Sequence, residues 1–183
     1  MGIESVSRLN INEIKAGLEG PDMTAMFKRM AERLIAAVEN DSSVLLPRPA
    51  EVGQKTISAW FSTYHDRFVT IMLDLFREEM PSMFPQQENA LKAFLLENFW
   101  PVARPELFAH ILRRMAIRWA ARQYTDATVV MPPEHEAYGW RLPLRITGRD
   151  QEFGQIALDE EGNILTDHTT PRERYREVLL AAS

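Results

Sequence analysis

Hydrophobic residues recur every three or four positions through the first two thirds of the chain, which is the spacing that lines one face of an α-helix. The clearest run extends from Thr56 to Met80 and predicts one continuous helix in the core. Another run follows Asp22, a residue suited to cap the N-terminus of an amphipathic helix. The pattern therefore predicts a helical bundle.

Three further helices are predicted around these two. A short one covers residues 12–19, and another ends near Trp100. The third begins with Pro105 in its first turn, where proline is well tolerated, and ends near Tyr124. Residues 12–124 are therefore predicted to form the helical part, with four to five helices.

The hydrophobic pattern changes to a period of two beyond this bundle. Hydrophobic and polar residues alternate over 140–147, which predicts a half-buried strand. Because Pro143 has no N–H for a sheet ladder, we expect this strand at an edge of the sheet or beside a bulge. Two shorter strands, around Ile156 and around Ile164, complete a predicted three-stranded antiparallel meander within residues 138–166.

The end of the chain carries a clear helix signal. Thr170 and Glu173 have the spacing of a capping box and predict a last helix over residues 170–182. Helices and strands are segregated along the chain, which is typical of the α+β class. The length of 183 residues suits one domain, so 1–183 is predicted to be a single α+β domain.

Composition narrows the classes of function. The chain has no cysteine, which excludes a disulfide framework, a thiolate metal site and a cysteine nucleophile. It shows no secretory leader and no apolar run long enough to cross a bilayer, so we expect a soluble cytoplasmic protein that does not bind membranes. A net charge of −5 argues against nucleic acid as a partner.

Motifs for catalysis and for cofactor binding are missing from the sequence. It contains no phosphate-binding glycine loop, no serine elbow and no HExxH zinc motif, so we expect neither a cofactor nor a metal. Our first hypothesis is therefore a non-enzymatic protein-interaction or assembly module, with a regulatory role and with another protein or a second copy as partner.

Two features could form the docking surface of such a module. One is the predicted edge strand around Pro143, which could pair with another strand. The other is a methionine face on the helix after Asp22, formed by Met23, Met26 and Met30. The same spacing is also typical of core filling, and the sequence leaves both interpretations of the methionines open.

Charge distribution supports a different hypothesis. Between Arg104 and Arg149 the chain has eight arginines against four acidic residues, although its net charge is negative. Arginine binds carboxylates and phosphates well, so a small enzyme or ligand-binding protein with an arginine-rich anion pocket is the alternative. In that case His110 or His65 could move protons. The anion-binding residues would be Arg114, Arg118, Arg122 and His110.

The same arginines have a competing structural interpretation. Glu79 falls within the apolar arc of its predicted helix, and Arg122 is turned toward the apolar face of its own. An unpaired charge in either position would cost several kcal/mol, so a partly buried ion pair of Glu79 with Arg118 or Arg122 would explain both placements. The sequence alone leaves the ligand site and the internal pair open.

Overall fold

The computed structural model describes residues 21–81, 88–125 and 127–181, and their order of elements confirms the α+β class. The antiparallel sheet has four strands rather than three. The predicted helix over 12–19 lies outside the described residues. The helices are α1 (Pro21–Glu39), α2 (Thr56–Thr63), α3 (His65–Glu79), α4 (Glu88–Asn98), α5 (Trp100–Gln123) and α6 (Arg172–Ala181). The strands are β1 (Thr128–Val130), β2 (Glu134–Glu136), β3 (Gly139–Ile146) and β4 (Glu152–Leu158), and a 3-10 turn covers Thr166–His168.

The internal contacts of the chain group its residues into two compact units, and each is described by itself. Unit 1 comprises Met1–Val44 and Thr63–Leu107, and unit 2 comprises Leu45–Ser62 and Phe108–Ser183. The N-terminal part of α5 belongs to unit 1 and the remainder to unit 2. The single domain over 1–183 stays a prediction.

Unit 1 is helical and is packed around aromatic side chains. Helix α1 packs against α3, and α3 packs against α4. The Phe27 ring lies 5.3 Å from that of Phe99 and 6.3 Å from that of Phe94, and Phe76 lies 6.1 Å from Phe94. These tilted and edge-to-face contacts are the arrangements that aromatic rings prefer, so they fix how the helices pack.

The methionines of α1 belong to this core. Met26 and Met30 are buried, and Met23 is half-buried. The predicted partner surface formed by Met23, Met26 and Met30 is therefore corrected, because the three-and-four spacing turns this face of the helix inward. Of the two interpretations of these methionines, core filling is the one that the structure supports.

Two predicted helix boundaries are wrong. The hydrophobic run from Thr56 to Met80 forms α2 and α3 instead of one helix, since Tyr64 has φ −102° and ψ 11° and separates them. Helix α5 begins at Trp100, so Pro105 lies inside it rather than in its first turn. The hydrogen bond that this proline cannot make would go to the carbonyl of Pro101, an exposed residue in the first turn.

Strand β3 is the central strand of the sheet in unit 2. Strand β4 pairs with it from Trp140 to Arg145, so β1 and β2 share its other side. Pro143 therefore lies in the interior of the sheet, and its prediction as an edge residue is wrong. The predicted bulge is present as a register shift between Leu144 and Arg145, directly after the proline.

Strands β1 and β2 were not predicted. They are interrupted over residues 131–133, opposite Pro143. The N–H of Met131 donates to the Pro143 carbonyl at 2.8 Å, and then Pro132 and Pro133 have no N–H to offer. Pro143 on β3 and the two prolines on the facing segment therefore explain why the pairing on this side of β3 is divided between β1 and β2.

The predicted third strand is a single bridge, and the segment after it is joined to β4 by backbone and side-chain hydrogen bonds. Ile164 forms an isolated bridge to the end of β4. The hydroxyl of Thr169 accepts the N–H of Ala157 at 3.0 Å, and that of Thr170 accepts the N–H of Gln155 at 2.8 Å. Helix α6 follows as predicted, although the Thr170 hydroxyl is engaged with the sheet instead of completing the capping box.

Candidate functional site

A pocket of about 530 Å³ lies within unit 2. It is formed by the second half of α5, the loop before α2 and the segment that follows β4. We call it the arginine pocket, because Arg48, Arg118 and Arg122 line it. The remainder of its lining is mostly apolar and includes Met115 and Trp119. A volume of this size is typical of a site for a small organic ligand.

Helix α5 places two of the arginines on one side of the pocket. Arg118 and Arg122 are four residues apart, so they lie one turn from each other on the same exposed face. The helix ends here, and the Arg172 side chain donates to the carbonyl of Gln123 at 2.8 Å and to that of Arg122 at 3.3 Å. A cation on the last carbonyls of a helix stabilises its C-terminus.

Trp119 is held beside these arginines by a cluster of aromatic rings. Its indole lies 5.8 Å from the Tyr124 ring in an edge-to-face arrangement, and Tyr124 also contacts Phe153 and Tyr175. The Tyr124 hydroxyl donates to the carbonyl of Thr170. Burial raises the pKa of Tyr124 to about 12, so the hydroxyl stays neutral and continues to donate at physiological pH.

Arg48 belongs to the loop before α2, which is anchored on both sides of it. Before it, the carbonyl of Leu45 accepts the indole N–H of Trp60 at 2.6 Å. After it, the N–H of Ala50 donates to Oδ1 of Asn163 at 2.9 Å. Prolines precede and follow Arg48 and restrict the backbone further. The loop therefore presents Arg48 from a fixed backbone position.

The buried amide of Asn163 holds this loop in place. Its exposed fraction is 0%, and all four of its hydrogen-bonding positions are used. Oδ1 accepts from Ala50 and, at 2.5 Å, from the hydroxyl of Thr56. Nδ2 donates to the carbonyl of Gln54 at 2.8 Å and to the carboxylate of Asp159 at 3.1 Å. One side chain thus joins the turn after β4 to the wall that carries Arg48.

The charge of the arginine pocket is uncompensated. None of the described residues that line it is acidic. Within residues 21–81, 88–125 and 127–181, the side chains of Arg48, Arg118 and Arg122 have no ion-pair or hydrogen-bond partner. An external anion could therefore bind them without first breaking an internal pair.

A second pocket in unit 2 shows the opposite balance. It has a volume of about 510 Å³, and Arg149 and Arg174 contribute to its lining. Asp150, Glu152 and Glu177 line the same pocket, and Arg174 pairs with Glu177 at 3.3 Å. Its carboxylates offset its arginines, so the arginine pocket is the better anion site of the two.

The residues predicted from the sequence as an anion site are only partly brought together. Arg118 and Arg122 line the arginine pocket, whereas Arg114 and His110 are not among the described residues that line it. His65, the alternative proton carrier, is an exposed residue of unit 1. Arg48 was missed, and its one sequence signal is a position between two prolines, which restricts the backbone.

Glu79 has a partner other than the predicted one. Its carboxylate binds Arg29 at 3.1 Å, within unit 1, and this hydrogen bond is the main reason that the pKa of Glu79 is lowered. The predicted ion pair of Glu79 with Arg122 is therefore corrected. The two helices α1 and α3 pack together, so a short and geometrically direct pair between them is available to Glu79.

Asp159 makes the turn that holds Asn163 sensitive to acid. Burial is the largest single influence and raises the pKa of Asp159, but hydrogen bonds from Asn163, Gly53 and Glu161 outweigh it and leave the pKa below its ordinary value of 3.8. The backbone N–H groups of Asn163 and Glu161 both donate to Oδ1 at 2.9 Å. The ionised carboxylate is thus the form that stabilises the turn.

We expect the stability of the chain to fall in acid partly through this carboxylate. Because the folded-state pKa is lowered, its contribution is complete above the unfolded pKa of about 3.9 and is lost as the pH falls through the lower folded value. Urea unfolding at pH 7 and pH 3 should show a smaller acid loss for Asp159→Asn than for the wild type. The exposed Asp167→Asn is the control, and an equal acid loss in both variants would contradict this role.

In residues 21–81, 88–125 and 127–181, no three histidine, aspartate or glutamate side chains are grouped so that they could hold a metal ion. None of the helices in these ranges combines the length and the apolar character needed to cross a bilayer.

Comparisons with protein-family models, with curated proteins and with solved structures found no match to this chain.

Proposed function

We propose that the chain binds a small organic anion in the arginine pocket. The observation that carries this proposal is the set of three guanidinium groups, from Arg48, Arg118 and Arg122, that line one pocket without an acidic partner among the described residues. Guanidinium groups form charge-assisted, often bidentate hydrogen bonds with carboxylates and phosphates. The loop anchors and the ordered end of α5 support the proposal, because a fixed backbone lowers the entropy that binding costs.

The proposed role is binding rather than catalysis. The lining provides cations, apolar surface and one hydroxyl, from Thr166. These groups can hold and orient an anion, whereas proton transfer needs a group that titrates near neutral pH. An interaction module, the first hypothesis from the sequence, stays a prediction. The two features on which it was based now have other roles, since Pro143 lies inside the sheet and Met30 is buried.

Titration of the protein with orthophosphate at constant ionic strength tests this proposal. We expect orthophosphate to raise the melting temperature of the wild type, because a ligand that binds only the folded state stabilises it. Arg118→Gln and Arg122→Gln should each weaken binding by about tenfold to a hundredfold, since hydrogen bonds to charged groups contribute about 1.5–3 kcal/mol. Isothermal titration calorimetry measures the orthophosphate affinity of the wild type and of each variant.

The matched control is Arg176→Gln, which removes the same charge from an exposed position on α6. It should bind orthophosphate as the wild type does. Loss of binding in this variant by the same factor would indicate a general effect of net charge and would contradict a built site. Absence of binding in the wild type would also contradict the proposal.

A further inference from the structure

The apolar part of the arginine pocket indicates what the bound anion carries besides its charge. Pro47 and Met115 are buried, and Trp119 and Ile164 are half-buried beside them. A pocket of about 530 Å³ is far larger than one phosphate or carboxylate group needs. A ligand that filled it would therefore place an apolar body against these side chains and its anionic group against the arginines.

The Trp119 indole in the lining of the arginine pocket favours a flat ligand. Trp119 contacts Tyr124 edge-to-face, at an angle of 78° between the rings, and this contact restricts the movement of the indole. A fixed indole offers a stacking surface at little cost in entropy. The neighbouring guanidinium groups of Arg118 and Arg122 can also stack on an aromatic ring.

The positive charge of the arginine pocket favours a dianion as its ligand. Three arginines with no acidic residue beside them among the described lining residues give a local charge of +3. A monoester of phosphate carries a charge of about −1.5 to −2 at neutral pH and three acceptor oxygens, whereas a carboxylate carries −1 and two. The phosphate group therefore offsets more of the charge and uses more of the donors, to which the hydroxyl of Thr166 adds one.

We infer that the ligand is a phosphate monoester of a planar aromatic or heteroaromatic group. This inference rests on the proposed function, since it concerns the same pocket. The phosphate binds Arg48, Arg118 and Arg122, and the ring packs on Trp119 within the apolar wall.

A series of three ligands tests the two parts of the inference by calorimetry on the full chain. Phenyl phosphate should bind about tenfold more tightly than orthophosphate, because stacking and apolar burial add to the same phosphate contacts. Benzoate, which has the ring and only one charge, should bind at least about tenfold more weakly than phenyl phosphate. Trp119→Leu should bring the ratio of the orthophosphate and phenyl phosphate dissociation constants from about ten to near one.

The outcomes separate this inference from the proposed function. Equal affinity for phenyl phosphate and orthophosphate, with both weakened by Arg122→Gln, would overturn the aromatic part and leave the anion site intact. Tighter binding of benzoate than of phenyl phosphate would overturn the phosphate part. If no phosphate ligand binds, the proposed function itself fails. The ligand series on the wild type decides these points even if Trp119→Leu does not fold.

Discussion

Replacement of Asn163 by alanine is expected to lower the free energy of unfolding by about 3–4 kcal/mol, because it removes the four hydrogen bonds that this buried amide makes to part-buried groups. The carbonyl of Gln54 and the N–H of Ala50 each lose a direct hydrogen bond, as do Thr56 and Asp159. Asn163→Asp should cost at least as much, since it places a second carboxylate where the amide now donates to Asp159. Urea unfolding at pH 7 measures both losses.

Asn98→Ala provides a comparison for this prediction. Asn98 is half-buried in unit 1 and makes one hydrogen bond, from Nδ2 to the carbonyl of Phe94 at 2.9 Å. Its removal should cost about 1 kcal/mol or less. If Asn163→Ala costs no more than Asn98→Ala, the amide does not hold the loop. The Asn163 variants that remain folded should also bind orthophosphate more weakly, because the loop that carries Arg48 loses the hydrogen bond that anchors it at Ala50.

Replacement of Gly139 by alanine is expected to cost about 3–4 kcal/mol, from steric overlap together with backbone strain. Gly139 has φ +141°, and a Cβ atom there would lie 2.3 Å from the carbonyl oxygen of Leu158 and 2.8 Å from Cα of Asp159. Both neighbouring atoms belong to the backbone, so β3 and the end of β4 would have to separate. Urea unfolding and the loss of sheet signal in circular dichroism measure the effect.

Gly148→Ala separates the two causes. Gly148 has φ +82°, and no heavy atom lies within 4 Å of the position that a Cβ would take. This substitution tests backbone strain alone and should cost about 1–2 kcal/mol. An equal loss for Gly139→Ala and Gly148→Ala would show that the close approach of Leu158 contributes nothing.

Periodicity predicted the helices well where burial is one-sided, and it failed where a helix is interrupted without a breaking residue. Helix α1 followed the expected spacing, and its methionines fill the core of unit 1 as that spacing allows. Nothing in the local sequence marks the break at Tyr64, because aromatic and hydrophobic residues continue in register on both sides of it. Such a break depends on contacts with residues distant in the chain, which a one-dimensional pattern does not contain.

The sheet was underestimated for a different reason. β2 consists of Glu134, His135 and Glu136, which have no hydrophobic alternation, and it is a strand because it pairs with the start of β3. Pro143 suggested an edge strand, yet it lies inside the sheet. It is accommodated there because the register with β4 shifts beside it and because the pairing on the other side of β3 is interrupted between β1 and β2. Pairing between segments that are distant in the sequence thus determines both that β2 is a strand and that Pro143 lies inside the sheet.

The pocket illustrates what spacing can reveal about a site. Arg118 and Arg122 were found because residues four apart share a helix face, which is a local relation. Arg48 is about seventy residues away along the chain and lines the same pocket because Asn163 and Trp60 anchor its loop. Glu79 was assigned to the wrong arginine because helical wheels give the direction of a side chain and not its neighbour.

The borders of the sheet have a consequence for self-association. Unpaired strand borders recruit strands of other molecules and so begin fibrils and precipitates. Here one border is split by Pro132 and Pro133 into two short strands of three residues each. Along the other, Thr169 and Thr170 occupy backbone donors of β4 with their hydroxyls. Each border thus presents few consecutive free backbone N–H groups. Pairing with a strand of another molecule is therefore disfavoured at both borders.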